Sequence, residues 1–380
     1  TQMYKSLKSK KFIRKSKKSK SSSNEDNFFR IIKIHELRKN DNIVYSPFSI
    51  NGLFLIIHFN SEHKYVTNFY KNFCDTNQKL LSDYIQLTNK LFDKTEKKNI
   101  NLNFLLINKF EYNYDIDRDY QYHINKCGLI IHKEFINIDR YFNENITSEV
   151  KLEYTNIDDS MHALIININN FKVKWKYKFG YGSSKQDYFF KTDIEKVRVQ
   201  FYNSYNNYPF YENDKYQIIG KDMVNDNIML ITISKNSNDL PAVTNSDILI
   251  FYTLMKDQLI DFFIPKFTIE TELRFSNIFK DLAFEKIFTI SYKKILVGKD
   301  INFNEIIHRC KIIVDDEGDG YEPYQPRYCY SYNSYGYAYG NYYGNNNNNQ
   351  IFNANKPFRI DIVNKSEKVI LYTAFIKNLE

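Results

Sequence analysis

Asp41-Asn42-Ile43-Val44-Tyr45-Ser46-Pro47-Phe48-Ser49-Ile50 is the stretch whose reading decides the fold. Ser46 is placed to cap a helix, its hydroxyl accepting from a backbone N–H of the first turn. Pro47 then falls at the first helical position, where a missing N–H costs nothing. Ile50, Leu53, Phe54 and Ile57 recur at i, i+3, i+4 and i+7, which predicts one apolar face on a helix over Ser46–Phe59. Ile43 and Val44 precede the cap, so a short β-prone run feeds directly into a core helix. Taken alone, the stretch reads as an ordinary, well-capped buried helix.

Outward from it, the chain divides into two unequal parts. Residues 1–20 carry Lys5, Lys8, Lys10, Lys11, Arg14, Lys15, Lys17, Lys18 and Lys20 and no acid. These nine account for all of the net charge of +8, so the remaining body is close to neutral. Residues 1–26 therefore read as a disordered, basic, serine-rich arm. Its Lys5–Lys20 span is a candidate nuclear-import or nucleic-acid contact, beside the plainer reading of a solvated tail. The full chain, 380 residues and 43% apolar, is long enough for one large domain or two ordinary ones, and the body is 27–380. The abundance of Asn, Lys, Ile, Tyr and Phe matches AT-rich codons, so single aromatic or Asn positions carry little weight.

Cys74, Cys127, Cys310 and Cys329 form no C-x-x-C pair and no zinc spacing, so reduced thiols are expected and no metal or other cofactor. No apolar run approaches a membrane span, and the N-terminus has no apolar signal core. A cytoplasmic location is expected, with an extracellular one open should a leader precede Thr1. Asn145-Ile146-Thr147 and Asn364-Lys365-Ser366 match the glycosylation pattern, relevant only after secretion.

Asn27–Leu37 reads as a helix through Phe28, Ile31, Ile32 and Ile34, and Asn60 suits a left-handed cap after the Ser46 helix. A further helix is expected over 138–150. Leu164–Ile168 is a β-branched strand, followed by Asn169-Asn170-Phe171-Lys172-Val173-Lys174-Trp175. Gly180–Lys185 resembles a phosphate loop only superficially and reads as a turn. Residues 228–234 and 247–254 are apolar and β-prone. Phe262-Phe263-Ile264-Pro265-Lys266-Phe267-Thr268-Ile269-Glu270 alternates as a half-buried strand does, with a helix after it bearing Ile278, Phe279 and Leu282 on one face. Asn304–Gly318 holds His308 at the head of another apolar strand. Asn355-Lys356-Pro357-Phe358 and Lys368–Ile376 close the chain with β-rich sequence.

Four of these stretches, in this order, resemble the serpin family. Residues 42–50 resemble its signature N-I-V-x-S-P-x-S-I. Residues 167–175 resemble N-A-x-x-F-K-G-x-W, with Val173 in place of the usual glycine. Residues 263–270 resemble x-L-P-K-F-x-I-E, and 304–318 resemble the buried histidine and the strand leading to the reactive loop. The resemblance implies an α+β serpin fold: three β-sheets, surrounding helices and an exposed reactive-centre-like loop, here 318–354, on a chain expected to be a monomer. It implies a shutter cluster at Ser46, Ser49, Asn167 and His308, where hydroxyl, amide and imidazole satisfy one another away from water. It places Trp175 at the breach, the upper end of the main sheet. It gives His308 no catalytic role.

The resemblance also marks where this chain departs from its family. Inhibitory members trap a serine or cysteine protease while the cut loop enters the main sheet as a new strand. Entry needs a hinge of small residues whose alternate side chains fit a packed sheet. Here the hinge reads Asp316-Glu317-Gly318-Asp319-Gly320-Tyr321-Glu322-Pro323. Asp319 would bury a charge, Tyr321 overfills the interior, and Pro323 lacks the N–H a central strand donates. Ten tyrosines between Tyr321 and Tyr343 and the run Asn345–Asn349 then fill a loop too poor in aliphatics for a core, and expected to be mobile. Such a loop reads as a drifting insertion or, alternatively, a tyrosine-rich contact surface. If it is protease bait, the spacing from Asp316 puts the reactive bond near Tyr332, and Arg327 is the one basic residue on offer. Three readings follow: a serpin-like protein without inhibitory insertion, a working protease inhibitor, or a structural or nucleic-acid-associated protein tethered by its arm. No hydrolase elbow, zincin motif or credible P-loop is present, so no enzyme is expected. Composition and resemblance together imply a source such as a large DNA virus or an AT-rich protist.

Overall fold

The structure is a computed structural model. It describes residues 29–30, 32–33, 36–37, 42–59, 63–73, 81–91, 100–107, 115–126, 129–132, 163–180, 182–281, 284–321 and 350–379. The arm, Asn60, the stretch 138–150, Pro323, Arg327 and Tyr332 lie outside the described residues.

Eighteen strands and six helices longer than one turn are present among the described residues. Five strands form one sheet: β2 (Ile100–Ile107), β3 (Leu129–His132), β4 (Ala163–Lys172), β11 (Phe267–Arg274) and β14 (Glu305–Val314), in the order β11-β14-β4-β2-β3. At its centre β4 and β14 run parallel, in register from Leu164 opposite Glu305 to Lys172 opposite Ile313. Both β4 and β14 are buried along most of their length, as their aliphatic runs require.

A second, nine-stranded sheet contains β1 (Asn42–Tyr45), β6 (Ser184–Phe190), β7 (Lys196–Glu212), β8 (Tyr216–Asp222), β9 (Asn227–Ser234), β10 (Lys256–Pro265), β16 (Gln350–Asn353), β17 (Phe358–Asn364) and β18 (Val369–Ile376). Its size follows from β7. That strand is 17 residues long, pairs with β6 and β10 along most of its length, and meets β8 at its far end. One continuous strand thereby joins two groups of strands into a single hydrogen-bonded path. Two ribbons complete the strands: β5 (Trp175–Lys178) with β15 (Gly318–Tyr321), and β12 (Tyr292–Leu296) with β13 (Lys299–Ile301).

The deciding stretch folds as its sequence dictates. Ser46 Oγ accepts from Ser49 N–H at 3.1 Å, and the helix begins at Pro47 and runs to Phe59. Burial goes further than one face, because every residue from Pro47 to Ile57 is buried. Phe54 packs against Phe69, Phe275 and Phe279, with ring centroids 5.1–5.8 Å apart. Gly52 admits the Tyr84 ring of the helix Leu81–Leu91, since a Cβ at that position would lie 2.1 Å from it.

Three local readings of the sequence are corrected. The β-prone run 247–254 lies in a helix, Asn245–Leu254, because Thr244 and Asp247 form a reciprocal capping box that satisfies the first turn. Phe262–Glu270 is not one strand but parts of two, on different sheets. β10 ends at Pro265, which has no N–H to continue a ladder, and Lys266 N–H turns to the Gln200 carbonyl before β11 starts at Phe267. Within β11 the expected alternation holds, with Phe267 and Ile269 buried and Thr268 and Glu270 exposed. The two ends of the 318–354 segment are strands rather than loop: Gly318–Tyr321 adds to β5, and Gln350–Asn353 to β10, where Phe352 is buried.

Candidate functional site

Beneath the five-stranded sheet, the capped helix, β4, β14 and β18 bring polar side chains together in a dry interior. Ser46, Ser49, Asn167 and His308 are each fully buried. Parallel pairing sets His308 directly opposite Asn167. His308 Nδ1 donates to Asn167 Oδ1 at 2.6 Å, and its Nε2 accepts from Ser46 N–H at 3.0 Å. Those two bonds fix the neutral Nδ1–H tautomer. Burial pushes the imidazole down to about 3, so the ring is uncharged across the physiological range. Ser46 Oγ donates to the Leu371 carbonyl at 2.6 Å and lies 3.0 Å from Ser49 Oγ. The four residues predicted for this site are therefore brought into one network.

The network is wider than the sequence reading proposed. Ser49 Oγ donates to Asn169 Oδ1, at 3.2 Å. Asn169 Oδ1 also accepts from the Tyr372 hydroxyl at 3.3 Å, and Asn169 Nδ2 donates to Asn167 Oδ1. Asn167 Nδ2 reaches across to β2, donating to Asn103 Oδ1 at 2.8 Å and Asn101 Oδ1 at 2.9 Å. Helix, β2, β4, β14 and β18 thus share one chain of hydrogen bonds. The signal was present in the sequence: asparagines two apart on both strands, Asn101 and Asn103 against Asn167 and Asn169, point to the same face.

The second cluster lies where the chain leaves β4 and β14. Trp175 is fully buried, and its Nε1 donates to the Asp315 carbonyl at 2.7 Å. Its backbone N–H donates to Glu317 O at 2.9 Å, and Val173 N–H to Ile313 O at 2.9 Å. The chain leaving β14 thus continues alongside β5 as β14 does alongside β4, with Gly318 opposite Trp175. Gly318 is required by this close approach, since a Cβ there would fall 2.8–2.9 Å from Lys178 and Trp175 atoms. Asp319 meets Lys174 Nζ at 2.6 Å. Lys172 Nζ lies 2.8 Å from Glu317 and 3.4 Å from Asp315. The Glu317 hydrogen bond leads the causes that hold Lys172 up at about 12. Asp316 is exposed; burial, with Asp316 and Asp315 beside it, pushes the Tyr202 hydroxyl up to about 12. Lys221, itself buried, stands over the rings of Phe179, Tyr208 and Trp175 at 4.6, 5.4 and 5.5 Å. Lys174 and Lys221 were not singled out from sequence, and Lys172 entered there only as the lysine of the F-K-G-x-W resemblance, with no role attached.

Among the described residues there is no group of three His, Cys, Asp or Glu side chains that could hold a metal, and no helix long and apolar enough to cross a membrane. A polar cleft of about 680 Å³ between 191–193, 235–240 and 356–357 contains none of the predicted site residues.

This geometry agrees with what the chain resembles. The family model for serpins (serine protease inhibitors) matches residues 22–378. The chain belongs to the serpin family. It is 24% identical over 237 residues to an uncharacterised serpin-like protein of Acanthamoeba polyphaga mimivirus, a match covering 57% of this chain and 58% of that one. It is 21% identical over 309 residues to an uncharacterised serpin-like protein of Methanosarcina mazei, covering 73% and 69%. Among solved structures, a tumour-suppressing serpin superposes with a TM-score of 0.76 at 13% identity, covering 94% of this chain and 98% of that one. Native protease nexin-1 with heparin gives 0.75 at 15% identity, covering 95% and 99%. The solved structures establish a serpin fold that mixes helices with several β-sheets.

Proposed function

We propose that this chain is a serpin-fold protein that does not insert its loop, and acts through binding instead of by covalent trapping of a protease. The observation that carries the reading is the hinge Gly318-Asp319-Gly320-Tyr321-Glu322-Pro323. Inserting a strand between β4 and β14 would part nine paired positions and would bring a carboxylate, a tyrosine and a proline into a packed interior. The Asp319–Lys174 contact favours the same reading, because that carboxylate already has a partner outside the sheet. In this account Ser46, Ser49, Asn167 and His308 support the closed sheet, and Trp175 anchors its upper end.

A second reading is a working serine-protease inhibitor, favoured by the family description and by a 21% identity to a human plasma serine protease inhibitor over 43% of this chain. It would place the reactive bond near Tyr332, or at Arg327 for a trypsin-like enzyme, and take a serine or cysteine protease as partner. A third is attachment to nucleic acid through Lys5–Lys20. Incubation with trypsin- and chymotrypsin-like proteases tests the first against the second. The non-inserting reading expects turnover of the chain as a substrate, whereas a complex that survives SDS would overturn it.

A further inference from the structure

Far from the hinge, the stretch 29–37 packs on β1 and β18 through Phe29 and Lys33. Lys33 enters a place crowded with charge. Its Nζ stands 4.2 Å from the centre of the Phe375 ring, and the Arg359 guanidinium stands over the same ring at 5.2 Å. One carboxylate lies beside both cations, and its oxygens are already taken. Asp361 is fully buried, accepts two bonds from Arg359 at 2.7 Å and a third from the Thr373 hydroxyl at 2.8 Å. What remains for Lys33 is the ring face and the Pro241 carbonyl at 3.4 Å. These replace little of the water that an ammonium gives up on burial. Two positive charges and one negative therefore lie together, and loss of the Lys33 proton relieves the excess. Burial first, and Arg359 after it, bring this amine down to about 8 from its ordinary 10.5, with Asp361 working the other way.

We propose that Lys33 is an acylation site, whose neutral amine takes a small acyl group from a donor with an anionic leaving group, an acyl phosphate. The inference does not rest on the reading of the hinge. In the step, the Nζ lone pair attacks the acyl carbon. The C–N bond forms, the bond from that carbon to the phosphate oxygen breaks, inorganic phosphate leaves with the electron pair, and the nitrogen gives one proton to water. The product is a neutral amide, which suits the apolar face of Phe375 and leaves Arg359 and Asp361 as a matched pair. Lys33 is half-buried, so a small reagent can reach it. The donor class follows from the surroundings. Leu37, one helical turn along from Lys33, and Leu240, next to Pro241, line the polar cleft of about 680 Å³. Four lysines line that cleft against two aspartates. Of the four, Lys356 meets only the carbonyls of Lys235 and Ser237, at 3.5 and 3.1 Å. A cleft of that charge concentrates an anionic donor beside the amine.

The test treats the full folded chain with acetyl phosphate at neutral pH and times acetylation of each lysine by peptide mass spectrometry. Lys33 is expected to react roughly tenfold faster than the exposed Lys256 and Lys293, because its larger share of free amine outweighs its weaker nucleophilicity. The lead should shrink above about pH 10, where ordinary lysines also become free amines. It should vanish in denaturing urea, where neither the ring nor the guanidinium stands beside Lys33. Lys33→Arg should remove the fast event and leave the other lysines unchanged. The neutral donor 4-nitrophenyl acetate should give a smaller lead than acetyl phosphate. Acetylation of Lys33 in the folded chain no faster than that of Lys256 and Lys293 would overturn the proposal. So would a lead that persists in urea, which would make it a property of the local sequence. An equal lead with the neutral donor would overturn the assignment of an anionic one.

Discussion

Lowering the pH should weaken this fold through His308, and by a calculable amount. The imidazole titrates at 6.5 when free and at about 3 in the folded chain, where burial disfavours its charged form. Between those values the unfolded chain holds the extra proton and the native chain does not. Stability contributed by the neutral ring is therefore fully present above pH 6.5 and declines as pH falls toward 3. The loss is about 2 kcal/mol at pH 5 and about 3 kcal/mol at pH 4. Carboxylates also titrate in this range, so the histidine is isolated by difference. Urea unfolding of the native chain and of His308→Gln would be followed from pH 7.5 to pH 4. The variant should be less stable at pH 7.5, where an amide replaces a ring that bonds Ser46 N–H and Asn167, yet should lose less on acidification. The two curves should converge by about 3 kcal/mol. Parallel curves would refute the reasoning, because they would mean that His308 carries its proton inside the folded sheet.

Asn169→Leu should cost about 2–4 kcal/mol, since it strands the Ser49 and Tyr372 hydroxyls that donate to the amide; a cycle with Tyr372→Phe, read by denaturant unfolding, should show coupling between the two. Arg359 and Asp361 form a buried two-pronged pair with both bonds at 2.7 Å, and Arg359 Nη1 also donates to the Val243 carbonyl. Arg359→Met should therefore cost about 3–5 kcal/mol, while Arg359→Met/Asp361→Leu should recover much of that loss in the same assay.

Legibility in the sequence varied with the range of the interaction. The Ser46 cap, the Pro47 start and the alternation of β11 depend on neighbours within a few residues, and each stands as read. The polar cluster was legible only through family resemblance, because Ser46 and His308 are 262 positions apart and nothing local links them. Asn169 was passed over for a physical reason. It stands next to Asn170 and two residues from Asn167, and in an Asn-rich chain its spacing against Asn101 and Asn103 passes for composition until β2 and β18 close on it. The run 247–254 misled because its apolar residues suit strand and helix alike, and the arbiter, Thr244 with Asp247, stands at and before its edge. The break at Lys266 was hidden because alternation continues on both sides while the sheet changes. The contacts of Lys172 and Lys174 with Glu317, Asp315 and Asp319 could not be read, because they come from the pairing of β5 with β15, which sequence spacing does not specify.

The closed five-stranded sheet is the centre of this account, and cleavage of the loop tests it most directly. The full chain would be cut between Tyr324 and Asn349 by a panel of proteases, and the thermal unfolding midpoint compared before and after. The account predicts an unchanged midpoint, because β4 and β14 remain neighbours and the hinge stays on β5. A large rise would contradict it, since it would mean that the freed hinge, Asp319 and Tyr321 included, had entered the sheet as a sixth strand.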